Sequence, residues 1–461
     1  MEEKIIIGLE IHLQLKTKSK LFCGCSTNYK NSNDSVCNIC LGMPGSKPVL
    51  NKNVLDMAVK LGLALNCTIQ NENFFSRKVY LYPDMSKNYQ ITQYESPLCL
   101  NGHLRFKNKI IRIRRIHLEE DPASIQYPKE IDNSEYCLLD YNRSGIPLCE
   151  IVTEPDLSSA KEAREFLEYL ISIIDYLDIY DSKNFTIRVD ANVSMPGTKR
   201  AEIKNISGFK AVEKAINFEI IRQKGKLRRN EEFRQETLHF DKTSGKIVVL
   251  REKEFEEDYG YIYDPDLPRI TLSDIFIKKI KKEIPELPTE KIERLIKQYN
   301  ISDYYASILV SEKELGDLFE KSVKNSNKDL VLNFITVTLK KVLNYNNLKL
   351  KETNLTNKNF IELLNLIEKK ELTLRMGDLL LRKLIFTNKN TKELIKEMGF
   401  SKVKSFDNII NKVLKNNKEA LNNYNNGNSK ALHFLIGQVL KELRGKADAK
   451  LIEKKLLEKI K

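Results

Sequence analysis

Four cysteines are spaced to do chemistry. Cys23-x-Cys25 and Cys37-x2-Cys40 are two close pairs separated by eleven residues. Each short spacing lets two thiolates point at one ion, which suits a tetrahedral four-thiolate zinc site. Four thiolates leave a tetrahedral zinc no open position, so such a site is structural and not catalytic. Four unrelated thiols are the plainer alternative. The other cysteines, Cys67, Cys99, Cys137 and Cys149, are scattered and read as core or surface thiols.

Carboxylates form the second set. The opening segment Ile5–Leu15 alternates, with Ile5, Ile7, Leu9, Ile11, Leu13 and Leu15 on one face and Ile6, Gly8, Glu10, His12 and Gln14 on the other. Glu10 and His12 are therefore neighbours on one side of a strand, and Gly8 leaves space beside them. Such a pair can bind a hard cation or act as acid and base; a solvent-facing polar edge has the same pattern. The strand-like run Ile111–Asp121 ends in Glu119, Glu120 and Asp121, three acids that repel unless a cation or basic group is near. Glu150 sits in an apolar stretch after a Gly-containing turn, so it is either paired in the interior or a ligand. A further strand, Ile187–Met195, carries Arg188, Asp190 and Asn192 on its polar face, and Glu202 and Lys204 share a face just downstream. Acids for Mg2+ and bases for phosphate on one sheet face are what phosphoryl transfer needs. An ordinary mixed-charge strand would look similar. There is no Walker A sequence and no paired-glycine nucleotide fingerprint, so any ATP site is of another kind.

These residues need elements to hold them. A chain of 461 residues has room for two to four domains, and 41% hydrophobic with 30% charged residues is ordinary for a soluble globular protein. No apolar run is long enough to span a bilayer, and no signal or transit peptide is recognisable at the start, so a cytoplasmic protein with reduced cysteines and no membrane partner is expected. Alternating patterns with Gly and Pro punctuation fill the first ~290 residues, whereas proline is absent from about Ile292 and apolar residues recur at helical spacing. In the tail Leu432, Leu435, Ile436, Val439, Leu440 and Leu443 make one helix face. The Asn cluster at Leu421–Asn428 reads as a loop. The expectation is an α+β chain in three parts: a sheet-based catalytic-type domain over 1–291 with the cysteine knuckle, a helical domain over 292–403, and a small helical tail over 404–461. Net charge is +14, and residues 401–461 hold 14 Lys/Arg against 6 Asp/Glu. A basic tail suits a polyanion such as tRNA, although a solvated Lys-rich helix surface would look the same.

The same blocks resemble the GatB family, the B subunits of tRNA-dependent amidotransferases. The similar stretches include Gly8–His12, Arg77–Gln93, Leu118–Asp121, Asp140–Asp156, Arg188–Ser194, Glu202–Asn205, Phe434–Gln438 and Gly445–Ala447, in order along the chain. The resemblance implies an ATP- and Mg2+-using component that phosphorylates the side-chain carboxylate of a misacylated Glu-tRNA(Gln) or Asp-tRNA(Asn), after which ammonia displaces phosphate. It also implies two partners in the same complex, an amidase (the A subunit) and a small C subunit, since this chain has no Gly/Ser-rich amidase signature. Carried over, it suggests Mg2+ at Glu10, His12, Glu120 and Glu150 with Glu119 nearby, and Asp190, Arg188 and Lys204 for metal positioning or phosphate contact. The knuckle, present in part of the family, is implied to be structural, and the tail to grip tRNA. Gly260 stands where the family often has arginine, and Pro122 and Ser124 where many members have Ala and Lys. The long insertion of the related E subunits is missing, which favours the B type.

Overall fold

The computed structural model describes residues 4–128, 134–181, 183, 185–241, 246–252, 260–400, 407–425, 427–442 and 449–460. Residues 445–447 of the blocks above, Leu443, and the expected boundary at 403/404 lie outside them. The chain divides into two compact units, Met1–Pro288 and Thr289–Lys461.

The first unit is built on a twelve-stranded sheet. Its strands are β1 (Ile6–Gln14), β2 (Thr68–Ile69), β3 (Ser76–Val79), β4 (Tyr89–Thr92), β5 (Cys99–Phe106), β6 (Lys109–Glu120), β7 (Pro147–Thr153), β8 (Ile187–Ser194), β9 (Ala201–Ile206), β10 (Glu236–Asp241), β11 (Lys246–Glu252) and β12 (Gly260–Tyr263). The order across it is β11-β10-β9-β8-β1-β7-β6-β4-β3-β12, with β5 on β6 and β2 on β5. All pairs are antiparallel except β9 with β10, which are parallel and joined by a crossover helix, as a parallel pair requires.

Strand period explains which side becomes core. Ile7, Leu9, Ile11 and Leu13 of β1 are fully or almost fully buried, and they join Ile116, Leu118, Ile151 and Val189 in one apolar cluster. Four helices contribute to that cluster: α1 (Lys52–Ala64), α2 (Ala160–Leu177), α3 (Phe209–Arg228) and α4 (Asp274–Lys282). Asn51 and Ser159 cap the first two by accepting backbone N–H groups of Asn53 and Glu162. The alternate residues of the central strands are thereby committed to the opposite face, where the polar side chains gather. The sheet-rich first unit and the helical second one bear out the α+β expectation.

Every regular element among the described residues of the second unit is a helix. Near its end, Ile410, Val413, Leu432, Leu435, Ile436, Val439, Ile452 and Leu456 form a separate apolar cluster, which contains four of the six residues expected on one helix face. The Asn cluster departs from expectation. Leu421–Asn425 are helical, within Lys418–Asn425, and the turn comes only at Gly427. Asparagine is a poor helix former, but Ala420 and Tyr424 pack against the tail cluster, and tertiary packing overrides propensity. No helix among the described residues is long and apolar enough to cross a membrane.

Candidate active site

The site is assembled by register. β1 lies between β7 and β8, so His12 faces Glu150 on one side and Arg188 on the other, while Glu10 faces Asp190. β6 then places His117 opposite Glu150, and β9 places Glu202 opposite Asn192. The outcome is two groups of possible ligands on one sheet face. His12, Glu119 and Glu150 offer ligand atoms all within 4.8 Å of one another, and so do Glu10, Asp190 and Glu202. Since Glu10 and His12 are two apart on one strand, the groups are neighbours at roughly 7 Å spacing.

Within the first group His12 Nε2 lies 3.3 Å from Glu150 Oε2 and 3.7 Å from Glu119 Oε1. Burial works against a charged His12 ring, but its hydrogen bond to Glu150 and the charges of Glu150, Asp190 and Glu119 outweigh that and raise it to about 10. His117, deeper in the sheet, is pushed down to about 4 by burial. Burial and the charge of Glu150 raise Glu119 to about 7. In the second group Asn192 Nδ2 donates to Glu10 Oε1 at 3.0 Å. Lys204 Nζ lies 3.1 Å from Glu202 Oε1 and 3.4 Å from Asp190 Oδ2. Burial, then the charges of Glu150, Glu202 and Asp190, raise Glu10 to about 7 despite that lysine. At these two acids burial and neighbouring carboxylates outweigh Lys204 and His12, and a dication would supply further positive charge. Three carboxylates are a fitting oxygen donor set for Mg2+, whereas the His12 ring would have to give up its proton before its nitrogen could join the carboxylates of the first group.

A cavity of about 150 Å³ opens beside the second group. Gly8 leaves its floor bare, Glu10, Asn192 and Ser194 line it, and Arg114 and Arg200 add cationic groups. Asn192 Oδ1 is buried and accepts no hydrogen bond. Arg200 is exposed and makes no ion pair among the described residues.

The acidic triplet goes to three environments. Glu119 joins His12 and Glu150. Glu120, one residue on, points to the other side, where Lys87 Nζ meets its two oxygens at 2.5 and 2.6 Å and the Ile91 N–H donates to it. Expected beside His12 and Glu150, Glu120 is instead a buried ion pair, because successive strand residues alternate faces. Asp121 accepts from Arg188 Nη2 and Gln14 Nε2, both at 2.6 Å. Arg188 is thus committed to Asp121, whereas Lys204 stays with the second acid group.

The four knuckle sulfurs also lie within 4.8 Å of one another. The Cys37 N–H donates to Cys40 Sγ at 3.1 Å, and Ser86 and Ser144 hydroxyls hold the Cys40 carbonyl. Cys40 is pulled down to about 4 by its hydrogen bond from Cys23, helped by the charge of Lys20. Four converging sulfurs without a disulfide suit a tetrahedral thiolate metal centre.

Comparison with known proteins assigns the architecture. The family model described as GatB/GatE catalytic domain matches residues 5–278, and that described as GatB domain matches 317–460. The chain belongs to the GatB family. A Saccharolobus solfataricus protein, named as the B subunit of aspartyl/glutamyl-tRNA(Asn/Gln) amidotransferase, is 43% identical over 98% of this chain and 99% of its own length. One of the same name from Methanococcoides burtonii is 40% identical over 97% of this chain and 96% of its own. Another, from Thermotoga petrophila, is 39% identical over 99% and 100%.

Gly260, Pro122 and Ser124, expected to depart from the family, belong to neither acid group nor to the lining of the cavity. Gly260 is exposed and pairs with Val79, while the next residue, Tyr261, stacks on Tyr94 at 4.8 Å. The Pro122 and Ala123 carbonyls accept from Arg143, and Ser124 pairs with Asp140 in a small separate ladder. Sequence reasoning passed over His117, although it is two residues from Glu119 and so on the same face as it. Glu202 was noted for its strand face but not counted as a ligand, since only the β8–β9 register brings it to Glu10.

Proposed function

We propose that this chain is the B subunit of an amidotransferase that amidates Glu-tRNA(Gln), Asp-tRNA(Asn) or both. The observation that carries the reading is the pair of acid groups, His12–Glu119–Glu150 and Glu10–Asp190–Glu202, on one sheet face in a chain of this family. Magnesium held there would bring the ATP phosphates and the substrate carboxylate together and offset their repulsion. The γ-phosphoryl group passes to a side-chain carboxylate oxygen and ADP leaves. Ammonia then attacks the acyl carbon, the C–O bond to phosphate breaks, and the nitrogen sheds a proton. Lys204 and Arg200 offer positive charge where the nucleotide phosphates would lie, and the cavity over Gly8 offers them room. Cys23, Cys25, Cys37 and Cys40 would hold one structural zinc. Ammonia comes from the amidase A subunit, assembled with a small C subunit, and the basic tail grips the tRNA in the cytoplasm.

The test is amidation of Glu-tRNA(Gln) with ATP, Mg2+ and ammonium chloride, using this chain with its amidase partner. Ammonium bypasses glutamine hydrolysis, so the assay reads the chemistry of this chain itself. ATP-dependent amide formation is expected with the wild type. It is expected to vanish in Glu150→Gln while tRNA binding survives. Normal amidation by that variant would overturn the metal assignment, and tight tRNA binding without turnover on either misacylated tRNA would overturn the catalytic reading.

A further inference from the structure

Lys20 is fully buried, with 0% of its surface exposed. A buried ammonium is costly unless an opposite charge compensates it. No carboxylate among the described residues pairs with Lys20. Its three donors go instead to the Ser35 carbonyl at 2.8 Å, the Tyr141 carbonyl at 3.1 Å and Cys40 Sγ at 3.6 Å. Two carbonyls satisfy hydrogen bonds but carry no net charge. Among the described residues, the anionic source in contact with this ammonium is the cysteine cluster.

We propose that Lys20 is the built-in counter-ion of the four-cysteine centre, a positioning residue whose ammonium donates to Cys40 Sγ. This rests on the reading of that centre as a zinc site. A zinc ion with four thiolates carries two net negative charges, and enclosing such a centre in protein calls for positive partners outside the ligand shell. Lys20 follows β1 closely and precedes Cys23 by three residues, so the chain that leaves the catalytic strand carries the cation into the knuckle. The same ammonium holds the Tyr141 carbonyl, and the Leu21 N–H donates to the Gly145 carbonyl at 2.8 Å. Tyr141 and Gly145 lie in the turn that leads into β7, the strand bearing Glu150. The charge balance of the metal centre is therefore tied to the segment that feeds the active site.

Metal affinity of the full chain decides the matter. Cobalt(II) and zinc are titrated against a competing chelator, with the thiolate-to-cobalt absorption as readout, in wild type, Lys20→Met and Lys20→Gln. Wild type is expected to bind one ion, and both variants to bind it about 10–100-fold more weakly. A lysine that only packs would weaken the metal-free and metal-bound forms alike and leave affinity unchanged, so equal affinities would overturn the proposal. A wild type that binds no metal would overturn the zinc reading and this inference with it, a result distinct from equal affinities. Reductive methylation of the wild type needs no folded variant. Lys20 is expected to be protected with zinc bound and labelled after chelation, and equal protection in both states would also overturn the proposal.

Discussion

Glu10 and Glu119 are each raised to about 7 by burial and neighbouring acids, and that has a direction in pH. Their ionisation opposes the fold, so without metal it costs stability as pH climbs from the ordinary carboxylate range through about 7. A dication binds the ionised forms, so magnesium affinity should rise over the same window and binding below it should release protons. Calorimetry in buffers of different ionisation enthalpy measures this, and affinity independent of pH would sink the assignment. Adjacent residues should behave oppositely. Glu120→Gln breaks a buried ion pair with Lys87 and is expected to cost about 3–5 kcal/mol of stability with magnesium affinity kept. Glu119→Gln is expected to lose magnesium affinity with little loss of stability. Thermal melts with and without Mg2+ separate the two. Alternation made Glu10 and His12 legible as a pair because Ile7 to Leu13 mark the buried face. It could not choose between Glu119 and Glu120, since a one-residue change of register exchanges them.

At the scale of elements, the sheet does the gathering. Glu10, Glu150, Asp190 and Glu202 come from four strands whose order, β9-β8-β1-β7, is far from chain order. β1 and β8 were readable from their own periods, but long-range pairing leaves no local mark, so the division into two groups was not. The tail shows the converse. Its apolar spacing announced a helix face, yet the helical Leu421–Asn425 was hidden by an Asn-rich composition that packing overrides. Gly8 joins both points, being a gap visible in the β1 pattern whose purpose depends on neighbours. An added Cβ there would meet nothing nearer than Pro155 at 3.7 Å, so Gly8→Ala should fold normally. Gly8→Leu would extend into the cavity of about 150 Å³. It is expected to raise the KM for ATP about tenfold, ~1.4 kcal/mol, with tRNA affinity unchanged. Steady-state kinetics with saturating tRNA reads this, and an unchanged KM would remove the cavity from nucleotide binding.

For the molecule as a whole, the proposed function asks one chain to serve a metal-dependent reaction and a large polyanion. The acid groups and the cysteine centre lie in Met1–Pro288. Residues 401–461 combine 14 Lys/Arg against 6 Asp/Glu with an apolar cluster of their own. We propose that this tail supplies salt-sensitive tRNA affinity, leaving the sheet unit to act on the aminoacyl end. Ending the chain after Phe400 is then expected to weaken tRNA binding at least about tenfold at physiological salt and to flatten its salt dependence, since lost phosphate contacts release fewer counter-ions. The zinc content, the magnesium affinity and the melting transition of the first unit are expected to stay. Retention of those properties rules out general unfolding as the cause of lost binding. Unchanged affinity with an unchanged salt slope would instead show that the tail's lysines are a solvated surface, and tRNA recognition would then belong to the residues before it.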